Sequence, residues 1–385
     1  MKLTVQVKLL PDPAQAGALV KTLEAVNSAC DEASEFAWGN KEFRRFPLHK
    51  ALYHRLRESC KLSAQVICLL FAKVADAYKL DKKCQRTFRK HGSIAFDSRI
   101  LSFKLPESTV SIWTVEGRQK MPFVCGDKQR ELLAFPRGEA DLVLRKGKWF
   151  LSITVEIPEE KEHAAVDCLG VDLGIVEIAA DSDGNRYSGS MLNKVRQRNL
   201  SLRRKLQRKG TKSAKRLLKK RSKREANFAR NTNHVISRRI VSLAKHTNRA
   251  IAIEDLAGIR TRIRARKRER TKLHSWSFAQ LGELISYKAK LAGVAILRID
   301  PRYTSQQCSK CGHTEKANRK SRNLFVCRSC GHTQHADENG ASNIRLRGLA
   351  LLSTGAFKHP YAEVIPTVGT VGVSICNPLP LGRGI

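Results

Sequence analysis

The sequence predicts an α+β multidomain protein: an N-terminal β-barrel interrupted by a helical insertion, then an α/β domain carrying an inserted four-cysteine module. Three observations carry this prediction. One early strand pattern gives way to helical spacing and then to a series of strand patterns. The second half alternates strands with helices. Two Cys-x-x-Cys pairs stand fifteen residues apart, between Cys311 and Cys327.

Leu3, Val5, Val7 and Leu9 alternate strictly, the period of a half-buried strand, and Pro11 ends it. Asp12-Pro13 supplies an N-cap and a proline at the first helical position, after which Leu19, Leu23 and Val26 follow at helical spacing. A second helix is expected from about Ser63, with Val66, Leu70, Val74 and Ala77 on one face. From about Ile94 the period returns to two, and residues 100–105, 110–115 and 132–135 read as strands. Residues 141–145 and 148–156 flank Lys146-Gly147, a hairpin signal.

A short acidic break at residues 157–162 precedes a new pattern. Residues 169–180 read as a strand pattern ended by the Asp183-Gly184 turn. Over residues 194–230, 17 of 37 side chains are Lys or Arg and only Glu225 is acidic. Leu202, Leu206, Leu217 and Leu218 punctuate that run, which predicts one or two basic helices joined near Gly210. Residues 236–244 and 276–291 follow as helices, and 250–253 and 294–299 as strands. From about 350 onward, few charges, several Gly and Pro and no period predict a loosely ordered tail.

Composition narrows the function. Across 385 residues, 72 Lys and Arg face 35 Asp and Glu, a formal net charge of +37. Self-repulsion on that scale opposes a compact state unless a polyanion neutralises it, so a nucleic-acid partner is expected. An anionic membrane is the weaker alternative, because no amphipathic anchor stands out; a ribosomal or chromatin protein would satisfy the charge equally. No apolar run reaches eighteen residues and the N-terminus lacks a signal-peptide core, so a soluble intracellular protein is expected. Of eleven cysteines, six (Cys30, Cys60, Cys68, Cys84, Cys125 and Cys168) are scattered singly and Cys376 lies in the tail. That pattern suits thiols in a reducing compartment better than disulfides.

Three acids stand where chemistry would place them. Asp172 interrupts the apolar run Leu169-Gly170-Val171, and a charge there is costly without a metal or partner. Glu254 ends the apolar run Ile251-Ala252-Ile253, and Asp337 opens a segment that can be helical. Element order in this half is compatible with an RNase H-like fold, whose two-metal hydrolysis needs carboxylates converging from different elements. Any one of them alone reads more readily as a cap or a solvated strand end; their joint occurrence in this order favours a site. Asp255, Asp300 and Glu338 read as loop or cap residues and are left off it.

Cys308-Ser-Lys-Cys311 and Cys327-Arg-Ser-Cys330 match the spacing of a four-cysteine structural zinc site. Each pair continues Gly-His-Thr, so the two knuckles repeat one another, with a glycine placed for the tight turn around the ion. His313 and His332 fall outside the four-ligand set.

Taken together, Gly170-Val-Asp-Leu-Gly174, Ile251-Ala-Ile-Glu-Asp-Leu256, the cysteines after Asp300-Pro-Arg-Tyr-Thr-Ser-Gln-Gln, and His335-Ala-Asp-Glu-Asn-Gly-Ala-Ser-Asn-Ile344 resemble the TnpB family, which is related to type V CRISPR effectors. The specific motifs span about residues 165–348; the N-terminal half matches in general layout. The resemblance implies a wedge β-barrel from residues 1–12 and 93–160, a helical recognition insertion at 13–92, a RuvC-like nuclease from 165–304 and 333–348, a zinc ribbon at 305–332 and a flexible tail at 349–385. It implies that Asp172, Glu254 and Asp337 are the three RuvC carboxylates, holding two Mg²⁺ or Mn²⁺ ions, and that Cys308, Cys311, Cys327 and Cys330 hold one structural Zn²⁺. It further implies a metal-dependent DNA endonuclease encoded by an insertion sequence. Its partners would be a guide RNA derived from the transposon end and a double-stranded DNA target beside a short adjacent motif. A monomer per guide RNA, located in a bacterial or archaeal cytoplasm at the nucleoid, is the expected form, with no membrane partner. The alternatives are a protein-guided resolvase or transposase using the same triad, an RNA-guided DNA-binding repressor, and a zinc-ribbon ribosomal or transcription protein. Gly340 departs from the alanine usual in the last motif. Residues 194–230 and 260–272 are candidate phosphate contacts; Trp276 and Phe278 read as core ahead of base-stacking residues.

Overall fold

A computed structural model describes residues 1–174, 176–221, 223–256 and 278–354 in two compact units divided between Pro158 and Glu159. The basic segment 260–272, Trp276 and residues 355–385 of the expected tail lie outside the described residues.

The first unit opens with β1 (Lys2–Leu9), whose apolar residues alternate as the sequence demands: Leu3, Val5, Val7 and Leu9 are buried. Three helices follow, α1 (Pro13–Gly39), α2 (Arg45–Ser59) and α3 (Ala64–Leu80). Asp12 caps α1 by accepting from the Gln15 backbone N–H at 2.8 Å, while the Gln15 side chain accepts from the Asp12 N–H at 3.2 Å. The sequence reading missed α2; its signal is Leu48, Leu52 and Leu56, buried at a four-residue spacing within an otherwise charged segment.

Strands β2 (Ile94–Phe96), β3 (Leu101–Lys104), β4 (Thr109–Thr114), β5 (Gly117–Val124), β6 (Arg137–Arg145) and β7 (Lys148–Glu156) complete the unit. All pairs are antiparallel, in the order β2-β6-β7-β1-β5-β4-β3, a barrel-like sheet that is nearly closed. Residues 132–135, expected as a strand, belong instead to the end of a short helix, α4 (Asp127–Leu133), and the turn after it. Leu132 and Leu133 are adjacent and both buried, which a helix end allows and an alternating strand does not. The Gln129 side chain accepts from the Gly126 N–H at 2.7 Å and donates to the Gln6 carbonyl of β1 at 2.6 Å, holding this helix on the sheet.

In the second unit, β8 (Cys168–Asp172), β9 (Glu177–Asp181), β10 (Arg186–Ser188), β11 (Ala250–Glu254) and β12 (Ile296–Ile299) form one sheet ordered β10-β9-β8-β11-β12. Strands β8, β11 and β12 run parallel, while β9 and β10 fold back antiparallel. The expected single strand pattern over 169–180 is therefore two strands joined by a hairpin. Gly174 sits in that turn, where a Cβ would lie 2.4 Å from the Glu177 carbonyl oxygen.

Helices α5 (Ser190–Lys209) and α6 (Lys212–Arg221) are the two basic helices expected to meet near Gly210, and α7 (Arg224–His246) begins within the end of the basic stretch. The further helix expected at 236–244 is the last part of α7. Gly210 ends α5 with φ 63°, the left-handed conformation that stops a helix. Helix α8 (Phe278–Leu291) precedes β12; β13 (Leu324–Val326) and β14 (Thr333–His335) form a small ribbon ahead of α9 (Ala336–Ser353). The expected tail boundary at 349 falls inside α9, because Leu349, Leu351 and Leu352 still pack against the sheet. Among the described residues no helix is long and apolar enough to cross a membrane.

The sheet of this unit is covered on both faces. Leu169, Val171, Ile251 and Ile253 pack on one side with Ile236, Ile240 and Ala244 of α7 and Leu281 and Ile285 of α8. Cys168, Ala250, Ala252, Leu297 and Ile299 pack on the other with Ile344 of α9. Two glycines bring α9 onto that second face. A Cβ on Gly170 would meet the Ala341 carbonyl oxygen at 2.1 Å, and one on Gly348 would meet Cys168 Sγ at 2.7 Å and Ala252 Cβ at 2.8 Å.

Candidate active site and metal centre

Strand parity decides where the acids point. Successive side chains of a strand alternate faces. Leu169 and Val171 point toward α7 and α8, so Asp172, one residue after Val171, points toward α9. On β11 the same count sends Glu254 to the α9 face, one residue after Ile253. Val171 and Ile253 are register partners in parallel strands, so the two acids leave neighbouring strands side by side at their carboxyl ends. Asp337 is in the first turn of α9, the helix laid over that face. A Cβ on Gly340, one turn later, would come within 3.1 Å of Asp172 Oδ2.

These carboxyls sense one another. Burial pushes Asp172 up to about 8 from its ordinary 3.8, and the carboxylates of Glu254 and Asp337 push the same way; Arg319 opposes them. Burial likewise raises Glu254, against a hydrogen bond from Thr304 and the positive charge of Arg347. The Thr304 hydroxyl donates to Glu254 Oε1 at 2.6 Å. Arg319 reaches Asp337 Oδ1 at 3.1 Å. An all-oxygen donor set with raised carboxyls fits a hard divalent cation, which would relieve the repulsion that now favours a bound proton. The carboxylates share a face without being gathered into one tight cluster as the cysteine sulfurs are.

Asp255 and Asp300 are exposed, and Glu338 lies 3.4 Å from Arg186. Arg319 and Thr304 are the residues the sequence reading missed. One arginine among 72 basic residues carries no signal of its own. Thr304 lies four residues before the first knuckle, and only the fold brings it under Glu254.

The four cysteine sulfurs lie within 4.8 Å of one another. Cys308 Sγ to Cys330 Sγ measures 3.7 Å and Cys311 Sγ to Cys327 Sγ 3.6 Å. A tetrahedral zinc with sulfurs at about 2.3 Å would set them about 3.8 Å apart. The sites of the two pairs are built alike. Gly312 and Gly331 take φ 77° and 69°, and their N–H groups donate to the Cys308 and Cys327 carbonyls at 2.9 and 3.1 Å. Cys308 and Cys327 donate in turn to the carbonyls of His313 and His332, both at 2.9 Å. Backbone N–H groups of Cys330 and Ser329 draw Cys327 down to about 6, while the neighbouring sulfurs of Cys330, Cys327 and Cys308 push Cys311 up to about 12, so the clustered thiols titrate as one set. The ring nitrogens of His313 and His332 meet Glu315 and Gln334, at 3.3 and 3.2 Å.

Residues 278–344 match the family described as Cas12f1-like, TNB domain. The chain is 35% identical over 220 residues to the CRISPR-associated endodeoxyribonuclease Cas12f1 of Sulfoacidibacillus thermotolerans, an alignment covering 52% of this chain and 51% of that protein. It is 31% identical over 229 residues to the putative RNA-guided DNA endonuclease InsQ of Escherichia coli K12, covering 54% and 56% respectively. A TnpB-like protein of Methanocaldococcus jannaschii is 35% identical over 99 residues, covering 26% of this chain and 36% of that protein. The first two matches thus span about half the length of those relatives. In fold, the chain is similar to Cas12f1 from its complex with single-guide RNA and target DNA, with TM-score 0.59 and 15% identity over 84% of this chain and 82% of that one. It is also similar to the mini-RNA-guided endonuclease Cas_phi3, with TM-score 0.58 and 11% identity over 91% and 93%. At such identities these likenesses speak for the fold alone.

Proposed function

From the kinship of this chain with the TnpB-like proteins and the Cas12f nucleases, we propose that it is an RNA-guided DNA endonuclease of an insertion sequence. It hydrolyses phosphodiesters of a double-stranded target beside a short adjacent motif, using a guide RNA derived from the transposon end. The observation that carries the reading is the side-by-side exit of Asp172 and Glu254 from neighbouring parallel strands beneath the helix whose first turn bears Asp337. In this reading the second unit is a RuvC-like nuclease with an inserted zinc ribbon, and the first is a wedge barrel with its recognition helices.

Asp172, Glu254 and Asp337 would hold two Mg²⁺ ions, with Mn²⁺ as a substitute. When bound, such ions supply an activated water and a clamp on the attacking and leaving oxygens of an in-line displacement. The residues of the chain do the rest. Thr304 keeps one oxygen of Glu254 occupied, so the carboxylate presents the other. Arg319 puts a guanidinium beside Asp337, where it can pair with a phosphate oxygen of the substrate. Cys308, Cys311, Cys327 and Cys330 would hold a closed, structural Zn²⁺ that fixes the loop bearing Arg319. The exposed cations of α5 to α7 suit phosphate contacts along a nucleic-acid duplex, and base pairing with the guide supplies sequence.

Guidance is the test. The purified chain should carry one enriched RNA, and replacing its guide segment should redirect Mg²⁺-dependent cleavage to the newly matching DNA. Mismatches beside the adjacent motif should reduce cleavage more than distal ones, because pairing nucleates there. Cleavage at one fixed DNA sequence after RNase treatment, whatever guide is supplied, would sink this reading and favour a protein-guided resolvase or transposase.

A further inference from the structure

We propose that Thr304 is the positioning residue for Glu254, and that α9 locks it in place, so that cation binding at the carboxylates depends on one threonine hydroxyl. The proposal rests on the carboxylate reading above and adds a residue to it.

Thr304 is 4% exposed, and its hydroxyl lies 2.6 Å from Glu254 Oε1 and 3.0 Å from the Pro301 carbonyl oxygen. A hydroxyl has one hydrogen to give. Toward an ionised carboxylate at the shorter distance it gives that hydrogen to Glu254, a charge-assisted bond. Oε1 is thereby engaged, and among the described residues Oε2 accepts no hydrogen bond. The carboxylate is left with a defined orientation and one oxygen to offer.

The turn that carries Thr304 is itself held. Tyr303 takes φ 62°, a left-handed conformation rare for a side chain of its size, and its own side chain is left exposed. From α9, Asn343 Nδ2 donates to the Thr304 carbonyl at 2.9 Å and to the Gln307 carbonyl at 2.6 Å. Asn339 Nδ2 donates to the same Gln307 oxygen at 2.8 Å. Arg347 ties down the other end, donating to the Asp300 and Arg302 carbonyls, both at 2.8 Å. The helix that supplies Asp337 therefore also fixes the partner of Glu254, and two of the three acids are set by one element.

Thr304→Val keeps shape and removes the hydroxyl; Thr304→Ser keeps the hydroxyl and removes a methyl. Mn²⁺ alone, titrated into the purified chain and followed by the loss of its free electron-resonance signal, reads binding apart from cleavage. Partners of metal-ligating groups typically contribute about 10–100-fold. Thr304→Val should weaken Mn²⁺ binding and guided cleavage by that order, with zinc content and melting unchanged, and Thr304→Ser should restore most of both. Should Val unfold the unit, the Ser and Ala variants decide alone: Ser near wild type and Ala impaired supports the proposal. Wild-type Mn²⁺ binding by the Val variant, or equal impairment by Val and Ser, overturns it. Asp172→Ala is the control, since unchanged Mn²⁺ binding there removes the carboxylate reading itself, whereas loss there and not in Thr304→Val removes only the role of Thr304.

Discussion

Asp172 shows how a single residue records its site. A carboxyl raised to about 8 from an ordinary 3.8 keeps its proton in the folded chain over a range where the unfolded chain has lost it. Its contribution to stability is therefore greatest below the unfolded value and declines as pH rises toward 8. Without divalent cations, the melting temperature should fall between pH 5 and pH 8. Asp172→Asn should flatten that fall and abolish cleavage, and added Mg²⁺ should flatten it in the wild-type chain by displacing the proton. A melting temperature that rises over this range, or a slope unchanged in Asp172→Asn, would remove the raised carboxyl from the account. The sequence announces Asp172, because a charge following Leu169-Gly170-Val171 needs a reason. It does not announce Arg319, whose meaning is a 3.1 Å approach to Asp337 from a loop eighteen residues away.

At the scale of elements, the contact of α9 with β8 holds the candidate site together. The Cβ of an alanine at Gly170 would face backbone atoms, the Ala341 carbonyl oxygen at 2.1 Å and the Arg345 nitrogen at 2.5 Å, and backbone cannot swing aside. Gly170→Ala should therefore lift α9, destabilise the chain by about 1–3 kcal/mol or more, and lower cleavage as Asp337 moves away from Asp172. Gly340→Ala is the contrast. Its Cβ would meet side-chain atoms of Asp172, Oδ2 at 3.1 Å and Cγ at 3.6 Å, and a side chain, unlike backbone, can rotate by a few tenths of an ångström. Alanine in a helix interior gains about 0.5–1 kcal/mol over glycine, so this variant should melt higher and keep its activity. Thermal melting and cleavage of the two proteins check both expectations. If Gly170→Ala melts like the wild type, the close packing of helix on sheet is not what positions Asp337.

On the scale of the whole molecule, a net charge of +37 repels itself, a repulsion that a bound polyanion would relieve, and α5 to α7 concentrate the excess. Few side chains of α5 and α6 are buried, Leu192 and Leu206 in α5 and Ala214 in α6, and none of the residues that α7 buries is a Lys or Arg, so most of the cations face outward. Glu225, the one acid in residues 194–230, lies 3.8 and 3.9 Å from Arg196 and Arg203, too weak a counterweight to neutralise the stretch. Replacing Arg204, Lys205, Arg208 and Lys209 together with Gln should weaken nucleic-acid binding by a similar factor for every guide. The dependence of log affinity on log salt should become shallower by about 0.7–0.9 per lost phosphate contact. Binding measured at several salt concentrations with two unrelated guides checks this, and a loss confined to one guide would point to base readout in place of phosphate contact.

The strands whose apolar residues alternate or run together, the capped start of α1, the basic stretch and the two cysteine knuckles are all legible in the amino-acid sequence. Each of these depends on spacing along the chain, and spacing is what a sequence records. It misread residues 132–135, where two adjacent buried leucines carry no period, and it passed over α2, whose three leucines are diluted by charge. Folding alone brings Asp172 and Glu254 out of neighbouring strands on one face, lays α9 over them, and stands Arg319 and Thr304 beside the acids. Those relations join residues far apart along the chain, Asp172 and Asp337 being 165 positions apart. They depend on sheet order and on the missing side chains of Gly170 and Gly348, since a helix can approach a sheet that closely only where no Cβ stands between them.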